Sequence, residues 1–146
     1  MPRIGALAWL LMMTGAALSA QARPTLRARL SPVPIDVAMQ ATIAGLGDAT
    51  ATLSGSTLTV EGRYRGLVTP ATSVRVYDSA RQGMRGTLVG EFASGGGTTG
   101  SFTGTVTLTP AQADAFAKGL LYVQVQSEKA PDGNLRGWLM PTKGSR

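Results

Sequence analysis

The stretch GLLYVQVQSEKAPDGNLRGWLM, Gly119 to Met140, decides the fold class. Leu121, Val123 and Val125 alternate with Tyr122, Gln124 and Gln126, and a second run closes on Leu135-Arg136-Gly137-Trp138-Leu139. Successive side chains of a strand point to opposite faces, so a period of two marks a strand with one buried and one wet face. Pro131-Asp132-Gly133 lies between the runs and predicts the turn of an antiparallel hairpin. Its outward positions would carry Gln124, Gln126, Arg136 and Trp138.

The same period recurs upstream. Val37, Met39, Ala41 and Ile43 alternate with Ala38, Gln40, Thr42 and Ala44. Leu58, Val60 and Tyr64 alternate with Thr59, Glu61, Arg63 and Arg65, and Val74 and Val76 with Arg75 and Tyr77. Phe102, Val106 and Leu108 alternate with Ser101, Thr103, Thr105 and Thr107. Turn signals separate these runs at Ser54-Gly55-Ser56, Thr69-Pro70 and the glycine-rich Ala93 to Gly100. Short strands punctuated this way predict an all-β chain. The expected form is an antiparallel β-sandwich of immunoglobulin-like, Greek-key type with about seven to nine strands.

One segment departs from the pattern. Thr109-Pro110-Ala111-Gln112 offers a capping hydroxyl, proline at the first helical position and glutamine to reach back to the cap, and Gly119 supplies a stop. A short helix over Pro110 to Lys118 is expected, packing Ala111, Ala115 and Phe116 on the sheet.

The chain opens with one basic residue, Arg3, an apolar stretch from Ile4 to Met13, and small residues around Ala20-Gln21-Ala22. That order predicts a secretory signal peptide over residues 1–22. Thr14, Gly15 and Ser19 interrupt it too early for a membrane span. Removing the first 22 of 146 residues leaves 124, the size of one ordinary domain. Residues 23–36 read as a flexible basic, proline-containing linker, because Arg23, Arg27 and Arg29 precede Ser31-Pro32-Val33-Pro34. Residues 37–141 then form the β domain and 142–146 a C-terminal tail.

Chemistry is bounded by what the chain lacks. It contains no histidine and no cysteine. Packing alone must therefore hold an exported fold, and neither thiolate nor histidine-based catalysis is possible. No zinc, copper or other metal site and no cofactor are expected. The eight carboxylates are well separated along the chain and form no calcium loop. A pair for glycoside cleavage could still assemble in space. Without its first 22 residues the chain has 13 basic and 8 acidic residues, net +5, yet no basic stripe with interleaved aromatics. Nucleic-acid binding is not expected.

An internal echo links two segments. VRVYDSARQGMRGTLV (Val74 to Val89) and VQVQSEKAPDGNLRGWLM (Val123 to Met140) share V-x-V, a polar turn with glycine, then R-G-x-L. The first copy supplies Arg85, Gly86 and Leu88, the second Arg136, Gly137 and Leu139. Two similar corners of the fold are expected, one in each sheet.

From Val37 to Met140 the chain resembles the CHRD domain, named after chordin. Gly119, Tyr122, Val123, Val125, Pro131, Gly133, Arg136, Gly137 and Leu139 carry the resemblance best. It implies an extracellular β-sandwich without catalytic activity. The family's H-x-H would fall at Arg75 and Tyr77 and its third histidine at Gln126, so all three are replaced here.

Those positions suggest neighbouring strands. Arg75, Tyr77, Gln124, Gln126, Arg136 and Trp138 are therefore expected on one solvent-facing patch, suited to stacking and to acceptor-rich ligands such as carboxylates or sugars. The function expected is that of an exported, periplasmic or secreted, non-enzymatic binding or structural module of the cell envelope or exterior. Its partner would be an envelope or extracellular protein or polymer, or a second copy, and the mature form would carry no membrane anchor. The alternative is a carboxylate-dependent hydrolase acting on an extracellular polymer.

Overall fold

The computed structural model describes residues 23–34 and 36–142. The expected signal peptide and the last four residues of the expected tail lie outside them. Nine antiparallel strands and one α-helix follow in order: β1 Thr25–Pro32, β2 Leu46–Ser54, β3 Thr57–Arg65, β4 Ala71–Asp78, β5 Thr87–Ala93, β6 Gly100–Thr107, α1 Pro110–Ala117, β7 Leu121–Ser127, β8 Ala130–Trp138 and β9 Met140–Pro141. Hydrogen bonds run without a break through β5-β4-β7-β8-β1-β2-β3-β6, and β9 pairs with β1.

The all-β class and the short helix are as expected, but the two halves are not detached layers of a sandwich. Strand β1 joins them: Thr25 to Leu30 pair with β2, while Ser31 and Pro32 pair with β8. At the far ends β5 and β6 meet by side-chain packing. Gly104 accommodates the Phe92 ring, which a Cβ there would meet at 2.3 Å, and Gly90 likewise accommodates Val106. Gly95 donates to the Ser101 carbonyl beside this seam. The sheet is thus a nearly closed barrel, filled from all sides by Leu30, Leu58, Val60, Val74, Val123 and their neighbours.

Strand β1 corrects the reading of residues 23–36 as a linker. Leu26, Ala28 and Leu30 are buried while Arg27 and Arg29 face out. The arginines that suggest a solvated arm are the wet face of an interior strand, hydrogen-bonded on both edges. The strand expected from Val37 is also displaced. Asp36 accepts the Met39 N–H at 3.0 Å, and Ala38–Ala41 form a 3-10 turn. A side chain that captures the local backbone competes with sheet pairing, so the next strand starts only at Leu46.

Helix α1 carries the full reciprocal cap. Thr109 Oγ1 accepts from the Gln112 N–H and Gln112 Oε1 from the Thr109 N–H. Phe116 is fully buried, with Ala113 and Ala115 beside the core, whereas Ala111 is exposed. Tyr64, buried in β3, donates its hydroxyl to the Gly96 carbonyl and so pins the glycine-rich loop. Burial pushes this hydroxyl above its ordinary value, and the Ser94 side chain offsets part of that.

Two outcomes are expected. Leu30→Ala removes an interior side chain from β1 and should cost about 2–5 kcal/mol in denaturant unfolding. A change in a solvated arm would stay within about 0.5 kcal/mol. Because the Tyr64 value is raised on folding, its contribution is complete below the ordinary tyrosine value of about 10 and fades as pH climbs through the folded value. Alkaline unfolding followed above about pH 10 should therefore be shallower in Tyr64→Phe.

Candidate functional site

The site grows out of β7, the strand between β4 and β8. Its inward residues Leu121, Val123 and Val125 are buried as alternation demands, but Tyr122, Gln124 and Gln126 are buried too. The covering comes from β8. Val125 pairs with Leu135 and Ser127 with Ala130, so Pro131 to Asn134 stand opposite Gln126 alone. This large bulge replaces the turn expected at Pro131-Asp132-Gly133, and the chain reverses at Glu128-Lys129 instead. Gly133 takes φ 130° and sits directly on the Gln124 amide, which a Cβ would meet at 2.7 Å. Only glycine allows both the conformation and the approach.

Covered amides need partners, because an unpaired buried polar group costs about 1–3 kcal/mol. Gln124 Nε2 donates to the Asp132 carbonyl at 3.0 Å and to Gln126 Oε1 at 2.8 Å. The Gln126 NH2 donates to the Ser73 and Gln124 carbonyls, both at 3.2 Å. Gln124 Oε1 accepts twice from Arg136, from Nε at 3.1 Å and Nη2 at 2.9 Å. A neutral oxygen thus grips the guanidinium without cancelling its charge.

Across the strands these residues stand in rows. Arg75, Gln124 and Arg136 are direct partners in one row, and Tyr77, Tyr122 and Trp138 in the next. The Tyr77 and Tyr122 rings stack at 5.0 Å between centroids, and Tyr122 and Trp138 meet at 4.7 Å, tilted by 57°. The Arg136 guanidinium carbon lies 5.1 Å from the Tyr122 centroid, within cation–π range. Arg75 pairs with Glu91 through Nε. The neighbouring Tyr77 hydroxyl, then Glu91, hold its guanidinium above the ordinary value.

The structure therefore brings Arg75, Tyr77, Gln124, Gln126, Arg136 and Trp138 onto one face, but that face is not fully open to solvent. Gln124 is 3% exposed and Gln126 1%, and both serve as scaffold beneath the bulge. Arg75, Tyr77, Arg136 and Trp138 are half-buried. Three further residues were missed from the set. Tyr122 is the middle of the aromatic row, its hydroxyl accepting the Gly86 N–H at 3.0 Å, and Arg85 and Asp132 line the same cavity of about 160 Å³. The echo held the signal for Arg85, since it matches that residue to Arg136. The two hairpins do not occupy separate sheets but lie side by side, with Val74 opposite Val125 and Val76 opposite Val123. The pairing is centred on Arg75 and Gln124.

Among the described residues no three His, Cys, Asp or Glu side chains gather as a metal site. The CHRD domain family model matches residues 26–139. The chain belongs to the CHRD domain family. No curated protein and no solved structure matches it. The match begins inside β1, which agrees with that strand's place in the domain.

Replacing Gln124 by methionine keeps its length and removes both ends of the amide. The expected loss is about 1–3 kcal/mol, because the half-buried Arg136 and the bulge carbonyl both lose a partner. Gln40→Met on the exposed 3-10 turn should change stability by less than about 0.5 kcal/mol, with both read from urea midpoints.

Proposed function

We propose that this CHRD domain is an exported, non-enzymatic binding module that works in the periplasm or outside the cell and holds an acceptor-rich partner of the envelope against the β4–β7–β8 face. One observation carries the reading. Buried amides and a glycine bulge fix Arg136 over Tyr122, beside Trp138 and Tyr77, before any partner arrives. Orienting a guanidinium and an aromatic row in advance lowers the side-chain ordering that binding requires. Arginine, tyrosine and tryptophan are also the residues that dominate interface energetics.

Export rests on the pattern of residues 1–22, with its basic start, apolar stretch and small residues before Arg23. A fold without cysteine suits that destination, because its barrel core is filled by packing alone.

The hydrolase alternative finds its carboxylates elsewhere. Asp48 and Glu61 line one open groove on the outer face of β2 and β3. Asp48 pairs with Arg63, and both of these side chains are largely exposed. A raised acid beside an ionised partner needs contrasting environments, and two wet positions on one sheet face supply little contrast. The ordered polar network lies on the other half of the barrel, which favours binding over hydrolysis.

Fractionation of the producing cell should recover the protein outside the cytoplasm with Arg23 at its N-terminus. Sedimentation with the isolated envelope should then fall about tenfold or more in Arg136→Ala and Trp138→Ala, the size of effect that hot-spot residues give. Wild-type sedimentation by both variants would reject the face, and an N-terminus still at Met1 would reject export.

A further inference from the structure

The cavity at the centre of this face has a composition of its own. Arg75, Arg85 and Arg136 line it together with Tyr122 and Asp132. Its polar groups are mostly hydrogen-bond donors. Arg136 spends Nε and one Nη2 hydrogen on Gln124, which leaves Nη1 without a partner among the described residues. Arg85 is exposed and has no hydrogen-bond or ion-pair partner among them. The Tyr122 oxygen already accepts from Gly86, so what remains to it is its own proton.

The acceptors are fewer, and all but Asp132 are already engaged. Gln124 Oε1 takes two bonds from Arg136 and Glu91 is paired with Arg75, while the exposed Asp132 also lines the cavity, its single charge opposed by Arg85 and Arg136. The unsatisfied capacity of the cavity is therefore for acceptors, and its sign is positive. A cavity of about 160 Å³ is small. Sites for drug-sized ligands run to about 300–1,000 Å³, so this one takes a single head group.

We infer that the cavity is an oxyanion site, which receives one carboxylate or phosphate group between the Arg75, Arg85 and Arg136 guanidiniums above Tyr122. This rests on the binding-face reading and names the chemical group that the face would take. Guanidinium forks match the geometry of carboxylate and phosphate oxygens, and such charge-assisted bonds are roughly twice as strong as neutral ones. The neutral amide of Gln124 matters here, because a carboxylate in its place would orient Arg136 but cancel the charge that the ligand must meet. The same chemistry is offered by a free anion and by a pendant group of an envelope polymer.

The test titrates the 15N-labelled exported protein, at constant ionic strength held with chloride, with inorganic phosphate, acetate and glucose in turn. Phosphate and acetate should give saturable shifts at the Gly86 and Tyr122 amides and the Arg136 side chain, and glucose none. Arg85→Gln, at an exposed position without partners, should weaken anion binding about tenfold, the equivalent of one charge-assisted contact. Arg85→Lys should recover part of that loss. Glucuronate added to protein sedimented with the envelope should release it if the natural ligand is a pendant carboxylate, and phosphate should do so if it is a pendant phosphate. The site is overturned if neither anion gives a saturable shift, if Arg85→Gln leaves the response unchanged, or if the shifts gather at the Arg29, Arg63 and Arg65 groove instead. Should Trp138→Ala still abolish envelope binding in any of those cases, the face survives and only the oxyanion cavity falls.

Discussion

Strand β7 is buried on both faces, and the consequences of that burial organise the functional half of the molecule. An antiparallel strand at a barrel wall normally turns one face to water, where glutamine and tyrosine need no further partner. Here β8 bulges by several residues and folds Pro131 to Asn134 over the outer side of Gln126. The amides beneath lose water, so each of their hydrogens and oxygens has to find a protein partner. The Asp132 carbonyl, the Ser73 carbonyl and the Arg136 guanidinium supply them. The orientation of Arg136 thus follows from the satisfaction of a buried amide. Gly133 is the backbone position that makes the cover possible.

The barrel supplies the fixed geometry on which this network depends. Strand β1 bonds to β2 along most of its length and hands over to β8 at Ser31 and Pro32, while β9 resumes the same edge at Leu26 and Arg27. The strand that carries Arg136 is therefore tied to the opposite half of the molecule through β1. At the other extreme β5 and β6 leave their edges without mutual ladder bonds and close by fitting Phe92 and Val106 into glycine gaps. A seam made of side chains hides the two edges from other chains, which long unpaired strands would otherwise invite.

Much of this was legible in the sequence, and the misreadings have identifiable causes. Leu58 to Arg65 and Val74 to Tyr77 read as strands and lie in strands, because alternation with buried Leu58, Val60, Val74 and Val76 is a direct consequence of a one-sided core. The cap at Thr109 was readable because each of its bonds is local. Strand β1 has the same alternation in Leu26, Ala28 and Leu30, but three arginines and two prolines made it resemble a solvated arm. Its pairing with β2 and β8 is long-range, and composition carries no record of it. The bulge was misread for the opposite reason. Pro131-Asp132-Gly133 has turn chemistry, and a large bulge uses the same residues as a turn, so local sequence does not separate them. The six candidate residues share one face because β4, β7 and β8 are neighbours, but Gln124 and Gln126 are not solvent-facing as expected. Their burial depended on the bulge and could not be read.

The resemblance implies histidines where this chain has Arg75, Tyr77 and Gln126, which bears on what the proposed face would recognise. Histidine there would present ring nitrogens able to offer lone pairs to a cation. Arg75 offers only N–H groups, and Gln126 lies buried beneath the bulge, bonded to Gln124. Tyr77 stacks on Tyr122 and so contributes its ring as well as its hydroxyl. With Arg85 and Arg136 brought to the same cavity, the donors at these strands outnumber the acceptors. In the proposed site, guanidinium hydrogens on this three-strand scaffold would be complementary to negative charge. That complementarity rests on the side chains of the face alone, which β4, β7 and β8 hold in register.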